Sequence, residues 1–162
     1  MSDSSADVAK VAELIKQFRF AMVTTVDSLG QLVARPMTVQ EAEFDGDLWF
    51  IASKTSHEVA ELGVNPVAGV SFASNDTWVS LTGTAEQVYD DARLKEYWNP
   101  WVEAWFPDGP DDPNVTLVKF TASGAEYWDS PGGRIASVIS FVKSKVTGNV
   151  GDVGENGKVD LD

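Results

Sequence analysis

Residues 48–62 read LWFIASKTSHEVAEL. Leu48 to Ala52 are apolar, as a buried strand requires, and Ser53, Lys54, Thr55 and Ser56 break that run. Beyond them Val59 and Leu62 stand three apart, the spacing of one helix face. Thr55-Ser56-His57-Glu58 fits a capping box, with Glu58 three residues after Thr55, so the spacing predicts a helix opening there. Asn65-Pro66 stops it. His57, the single histidine of the chain, sits where strand becomes helix. A strand that passes directly into a short capped helix, among other short strands, points to a mixed architecture.

Upstream, Asp45-Gly46 is a two-residue turn that matches strand twist, and it predicts a hairpin whose second arm is Leu48 to Ala52. Residues 20–27, FAMVTTVD, and 32–39, LVARPMTV, read as two strands joined by the turn at 28–31. Pro36 cannot donate to a ladder, so that point belongs on an edge or a bulge. Val8, Val11, Ile15 and Phe18 recur at helical spacing and predict a helix over 7–18. Downstream, 67–74 and 77–89 read as strands. Asp90 caps a helix that begins DARLKEYW and meets Pro100, and a loop dense in Pro, Gly and Asp follows. Residues 115–123 and 125–129 read as a final strand pair, and 134–146 as a helix. The pattern is six or seven strands, mostly in hairpins, with four short helices between. It predicts a mainly β fold with peripheral helices, an α+β class built on a small antiparallel barrel. The chain reads as one domain over 1–162, with a core at about 8–146 and an acidic, Gly-rich tail at 147–162, loose or draped on the surface.

Composition narrows the chemistry. The chain has 162 residues and no cysteine, so it has neither disulfides nor thiolate catalysis. One histidine without cysteine leaves only carboxylates for a metal, and no metal site is expected. The net charge of −13 repels nucleic acid and anionic lipid. No apolar run approaches ~18 residues, so no membrane span is expected. The start, MSDSSADVAK, lacks the basic and apolar parts of a secretory signal, and the expected location is the cytoplasm. No G-x-S-x-G, Walker loop or G-x-G-x-x-G occurs, and no catalytic side chain is assigned. Asp108, Asp111 and Asp112 offer oxygens to a hard cation or form a solvated loop.

What remains is a helix start with Ser53, Lys54, Thr55, Ser56 and His57. Its amides and dipole attract an anion. Arg35 lies on an apolar strand, where an unpartnered guanidinium is costly. Either these residues hold an anionic ligand, or they are a capped helix, a surface lysine and an arginine paired with one of the 25 acids.

ARPM, LWFIASKTSHEVAELGVNPVAGVSF, WVSLTGTAEQVYD, WVEAWFPDGPDDP and AEYWDSP, in this order from about residue 8 to 146, resemble the flavin-binding split-barrel family. The nearest branch is the short pyridoxamine-phosphate-oxidase-like general stress proteins. The resemblance implies a six-stranded antiparallel split β-barrel, dimeric, with FMN (sometimes FAD) in a groove at the dimer interface. It implies that Arg35, Pro36, Met37 and Thr38 lie along the flavin, with Arg35 near the phosphate. Ile51, Ala52 and Ser53 pass the ring and ribityl chain. The helix start with Lys54, Ser56 and His57 receives the phosphate, and Trp78 and Ser80 come from the partner subunit. Trp49, Trp105 or Trp128 wall the pocket or simply pack the core.

Two departures from the family pattern matter. The helix start carries Ser56-His57-Glu58 where much of the family has Ser-Arg-Lys. Losing one charge-assisted contact of ~1.5–3 kcal/mol weakens binding about ten- to a hundredfold. The expectation is weaker flavin binding than in relatives, or a ligand with a different tail. The C-terminal Arg-x-His element of true pyridoxamine-phosphate oxidases is missing, so that activity is not expected. Three readings follow: a general-stress-type oxidoreductase of unknown substrate, a non-enzymatic flavin carrier or sensor, and a dimeric scaffold that has lost its cofactor.

Overall fold

The computed structural model describes residues 4–40, 43–130 and 155–161. Its elements run α1 (Ser4–Ile15), β1 (Phe20–Val26), β2 (Leu32–Thr38), β3 (Asp47–Ser53), α2 (His57–Val64), β4 (Val67–Ala73), β5 (Thr77–Val88), α3 (Asp91–Tyr97), α4 (Pro100–Trp105), β6 (Val115–Asp129) and β7 (Glu155–Asp160). All strand pairs are antiparallel, in the order β2-β1-β4-β5-β6-β3, with β7 also on β6. The two ends of this path, β2 and β3, are not laddered to each other. The sheet curls but does not close, which makes it a split barrel.

The inward face explains the sequence pattern. Ala21, Val23 and Thr25 of β1, Ala68, Val70 and Phe72 of β4, and Val79 and Leu81 of β5 alternate with exposed residues. All but the polar Thr25 meet Phe50 and Phe120 in one apolar cluster that α1 covers through Val11, Leu14 and Ile15. Alternation with period two buries one face of each strand and leaves the other for a different use. β3 and the first half of β6 bury both faces, because α3, with Trp98 and Phe106 on either side of α4, covers the outer one. Trp49, Leu94, Val115 and Leu117 form that second cluster. The Trp49 ring has the guanidinium of Arg93 at 4.2 Å and the ammonium of Lys119 at 5.7 Å.

Four expectations are corrected here. Asp45-Gly46 does not make a hairpin. β3 takes β6 as its partner over seven residue pairs, and its tie toward β2 is the Gln40 N–H donated to the Trp49 carbonyl at 3.4 Å. Gly46 still needs its φ of 114°, and the Asp45 carboxylate accepts from the Asp47 N–H, so the turn chemistry bends the chain without closing a ladder. Residues 115–129 are one 15-residue strand rather than two. The break inferred near Gly124 is a bulge: Thr82 faces Gly124 while Gly83 faces Ala122, leaving Ser123 over. One extra residue reverses which side points in. Val118, Phe120 and Ala122 are buried before it, and Ala125 and Tyr127 after it. Gly83 is required opposite the bulge, since a Cβ there would stand 2.0 Å from the Thr121 carbonyl oxygen.

The third correction is the tail. Residues 155–160 form β7 on the edge of β6 beyond β3, and Val159 is buried. The fourth is the first helix, which runs Ser4–Ile15 rather than 7–18, leaving Phe18 to pack on Phe72 at 5.3 Å. The helix expected over 134–146 lies outside the described residues. Pro36 stands on β2, an end strand, as its missing N–H requires.

Candidate functional site

The split between β2 and β3 is a cleft of about 290 Å³. Arg35, Pro36, Met37 and Thr38 form one wall, with Phe20 and Gln40 beside them. Ile51, Ala52 and Ser53 form the opposite wall. Ser56 and Glu58, from the start of α2, close one end, and Val102, Trp105 and Phe106, from α4 and its C-terminus, close a side. Each wall is an end strand laddered on one side only. Backbone donors and acceptors therefore face the opening, where a planar polar ligand can pair with them.

The start of α2 differs from the expected capping box. Ser56, not Thr55, is the N-cap, and its side chain caps nothing. The Ser56 hydroxyl is buried and, among the described residues, is the buried side-chain oxygen with no hydrogen-bond partner. Leaving such a group unpaired costs about 1–3 kcal/mol. A hydroxyl held so beside the first-turn amides suits an acceptor such as a phosphate oxygen. The donor set of Ser56, those amides and Arg35 thus fits an anionic tail, and the apolar walls fit a ring.

Arg35 is already engaged. Its Nη1 donates to Thr25 Oγ1 at 2.6 Å and to the Val23 carbonyl at 3.4 Å. Its Nη2 donates to Glu61 Oε2 at 3.2 Å, and the Thr25 hydroxyl donates to the same carboxylate oxygen. The sheet register dictates this. Arg35 sits directly across from Val23 on β1, so both point to the same face, and Thr25 is two residues further along. α2 packs against β1 and β5 and brings Glu61 onto that face. Cation and carboxylate are both mostly buried. Of the two readings of Arg35 from sequence, the acid partner is present, and the guanidinium still lines the cleft.

The remaining sequence-derived residues lie elsewhere. Lys54 is exposed, with its ammonium 5.5 Å from the Tyr89 ring. His57 is exposed outside the lining. Trp78 and Ser80 are on β5, on the outer face of the sheet, where Trp78 pairs with Trp128 and Ser80 with Ser71. Phe20, Met22, Trp78 and Trp128 are large exposed apolar side chains on that face, and Phe20 also borders the cleft. Of the tryptophans proposed as walls, Trp105 lines the cleft, Trp49 is core and Trp128 belongs to the outer face. Asp111 pairs with Lys95 at 3.2 Å, and Asp112 accepts from the Asn114 N–H.

Sequence reasoning missed Gln40 and Glu61. Gln40 is buried, donates to the Thr38 carbonyl and accepts from Asn99, which ties α4 to the cleft. No local pattern announces it. Glu61 stands three residues after Glu58 on α2, and that spacing does not mark it as the acid that meets Arg35.

A family model described as pyridoxamine 5'-phosphate oxidase like matches residues 6–152. Protein bli-3 of Neurospora crassa is 30% identical over 149 residues, covering 85% of this chain and 71% of its own. A crystal structure named as general stress protein 26 of Jannaschia sp. CCS1 superposes with a TM-score of 0.76 at 26% identity, over 99% of this chain and 100% of that one. The general stress FMN/FAD binding protein of Xanthomonas citri superposes with a TM-score of 0.66 at 31% identity, over 77% and 89%. Among the described residues no helix is long and apolar enough to cross a membrane.

Proposed function

The chain belongs to the pyridoxamine 5'-phosphate oxidase like family, and from that premise we propose that it is a flavin-binding protein of the general stress type, with FMN (or FAD) as cofactor. It acts as an oxidoreductase on a substrate the fold does not name. The observation that carries the reading is the open seam itself. It combines two unpaired strand edges, apolar walls, and an unpartnered Ser56 hydroxyl at the mouth of α2. The name of the Xanthomonas citri relative, a general stress FMN/FAD binding protein, supports it.

In this reading the backbones of Met37, Ala52 and Ser53 face the ring. Ser56, the first-turn amides of α2 and Arg35 face the phosphate. His57, at the same helix end, adds charge when protonated, and Lys54 has to leave the Tyr89 ring to contribute. The flavin supplies uptake and release of a hydride or of single electrons, while the protein binds and orients it. Trp105 shields one side from water. A second copy completes the groove: the outer face with Phe20, Met22, Trp78 and Trp128 is the surface it covers, and it brings Trp78 and Ser80 to the site. An apolar patch of that make-up is what dimer interfaces bury.

The test is a visible spectrum of the purified protein and a fluorescence titration with FMN, for wild type and Arg35→Ala. Flavin bands or saturable quenching, with Arg35→Ala weakened about tenfold or more, are expected. Equal affinities refute the phosphate assignment, and sedimentation as a monomer at micromolar concentration refutes the shared groove. A second reading, a scaffold without cofactor, is favoured by one observation: Arg35 already has an acid partner. A colourless protein that ignores both FMN and FAD would establish it. Steady oxidation of a reduced nicotinamide by the flavin-loaded protein, with an added acceptor, separates the oxidoreductase from a passive carrier.

A further inference from the structure

We propose that Glu61 is an internal competitor for the ligand's anionic tail, so that the cleft discriminates between flavins by tail charge. This rests on the flavin reading above and deepens it. The charged side chains lining the cleft are Arg35 and Glu58, and the charge of Arg35 is already matched by Glu61 at 3.2 Å. A phosphate arriving at Arg35 therefore meets a guanidinium whose Nη1 and Nη2 both donate to protein oxygens. It also meets the Glu58 carboxylate on the lining and the Glu61 carboxylate behind it. Like charges within a few ångströms in a partly buried site repel strongly. Thr25 deepens the hold, because its hydroxyl bridges the cation and the carboxylate. A tail without charge, such as the free ribityl chain of riboflavin, meets no such opposition and can use Ser56 and the strand edges.

The experiment measures dissociation constants of FMN and of riboflavin by flavin fluorescence quenching, for wild type, Glu61→Gln and Glu58→Gln. Glutamine keeps the shape and can still accept from Arg35 and Thr25, and a thermal melt of each variant checks that it is folded. Glu61→Gln is expected to bind FMN roughly tenfold or more tightly, because a charge-assisted partner of the guanidinium is released. Riboflavin affinity is expected to stay within about twofold, since it carries no charge to reward. Glu58→Gln is expected to move FMN the same way and by less. Unchanged or weaker FMN binding by Glu61→Gln overturns the proposal and makes Glu61 a positioning residue for Arg35. A parallel rise for both ligands overturns it too, as a general loosening of the cleft. If no variant binds either flavin, the flavin reading itself falls and this inference with it.

Discussion

Thr25 is fully buried on β1, and its hydroxyl stands between Arg35 and Glu61. By volume and β-propensity Val is the mildest replacement, yet here it should be the more damaging one. Thr25→Val removes one hydrogen bond from a guanidinium and one to a carboxylate, each of ~1.5–3 kcal/mol. Arg35 and Glu61 keep their direct contact at 3.2 Å and some access to water, which moves the sum toward the low end. The added methyl recovers a little apolar burial. The net expectation is a loss of about 2–3 kcal/mol, or about 5–10 °C in Tm for a chain of this size. Thr25→Ser keeps the hydroxyl and loses one methyl, for about 1–1.5 kcal/mol. The assay is thermal and urea unfolding of the three proteins at one fixed concentration, because the proposed dimerisation would make Tm concentration-dependent. If Thr25→Val is as stable as Thr25→Ser, the bridge contributes nothing, and the account of Arg35 as a held cation fails.

Ser56→Ala should leave Tm unchanged or raise it by up to about 1 kcal/mol equivalent, since the hydroxyl caps nothing and is buried unpaired. The same variant should weaken FMN about two- to tenfold, a split between stability and binding that calorimetry and titration read together. Gly83→Ala forces a Cβ to 2.0 Å from the Thr121 carbonyl, and should cost about 3 kcal/mol by urea unfolding. Gly63→Ala, on exposed helix with nothing within 4 Å, should stabilise by about 0.5–1 kcal/mol. Trp78→Asp places a charge on the outer face and should yield a folded monomer by sedimentation; an intact dimer would reassign the interface.

Much of the strand inventory was readable because short apolar, β-branched runs bounded by turns are local signals, whereas the period-two alternation of β1, β4 and β5 shows in their burial. The partners of those strands were not. Asp45-Gly46 has hairpin chemistry, but β3 ladders with β6, whose paired residues lie 62 to 74 positions on, and not with the strand before it. A turn motif reports only the energy of the turn. β6 looked like two strands because Ser123-Gly124 breaks the alternation, whereas a bulge absorbs that break without ending the ladder. The tail looked loose because Gly and Asp disfavour strands, yet an open edge of β6 and one buried Val159 suffice to pair it. At the candidate site, the ARPM and IAS segments, which line one cleft, were singled out because each resembles a family motif. Gln40, Thr25 and Glu61 enter through register and helix packing, and no spacing in the sequence announces which acid of the many meets Arg35.

The odd residue at position 123 has a consequence for how the chain tolerates change. Removing it would exchange the two sets of side chains from there to the end of the strand. Glu126 and Trp128 would point into the barrel, and Ala125 and Tyr127 would point to water. Codon deletions at this point should therefore be far more harmful than any single replacement of Ser123. The seven-position interval from Phe120 to Tyr127 acts as a ruler whose length, rather than its letters, the fold depends on.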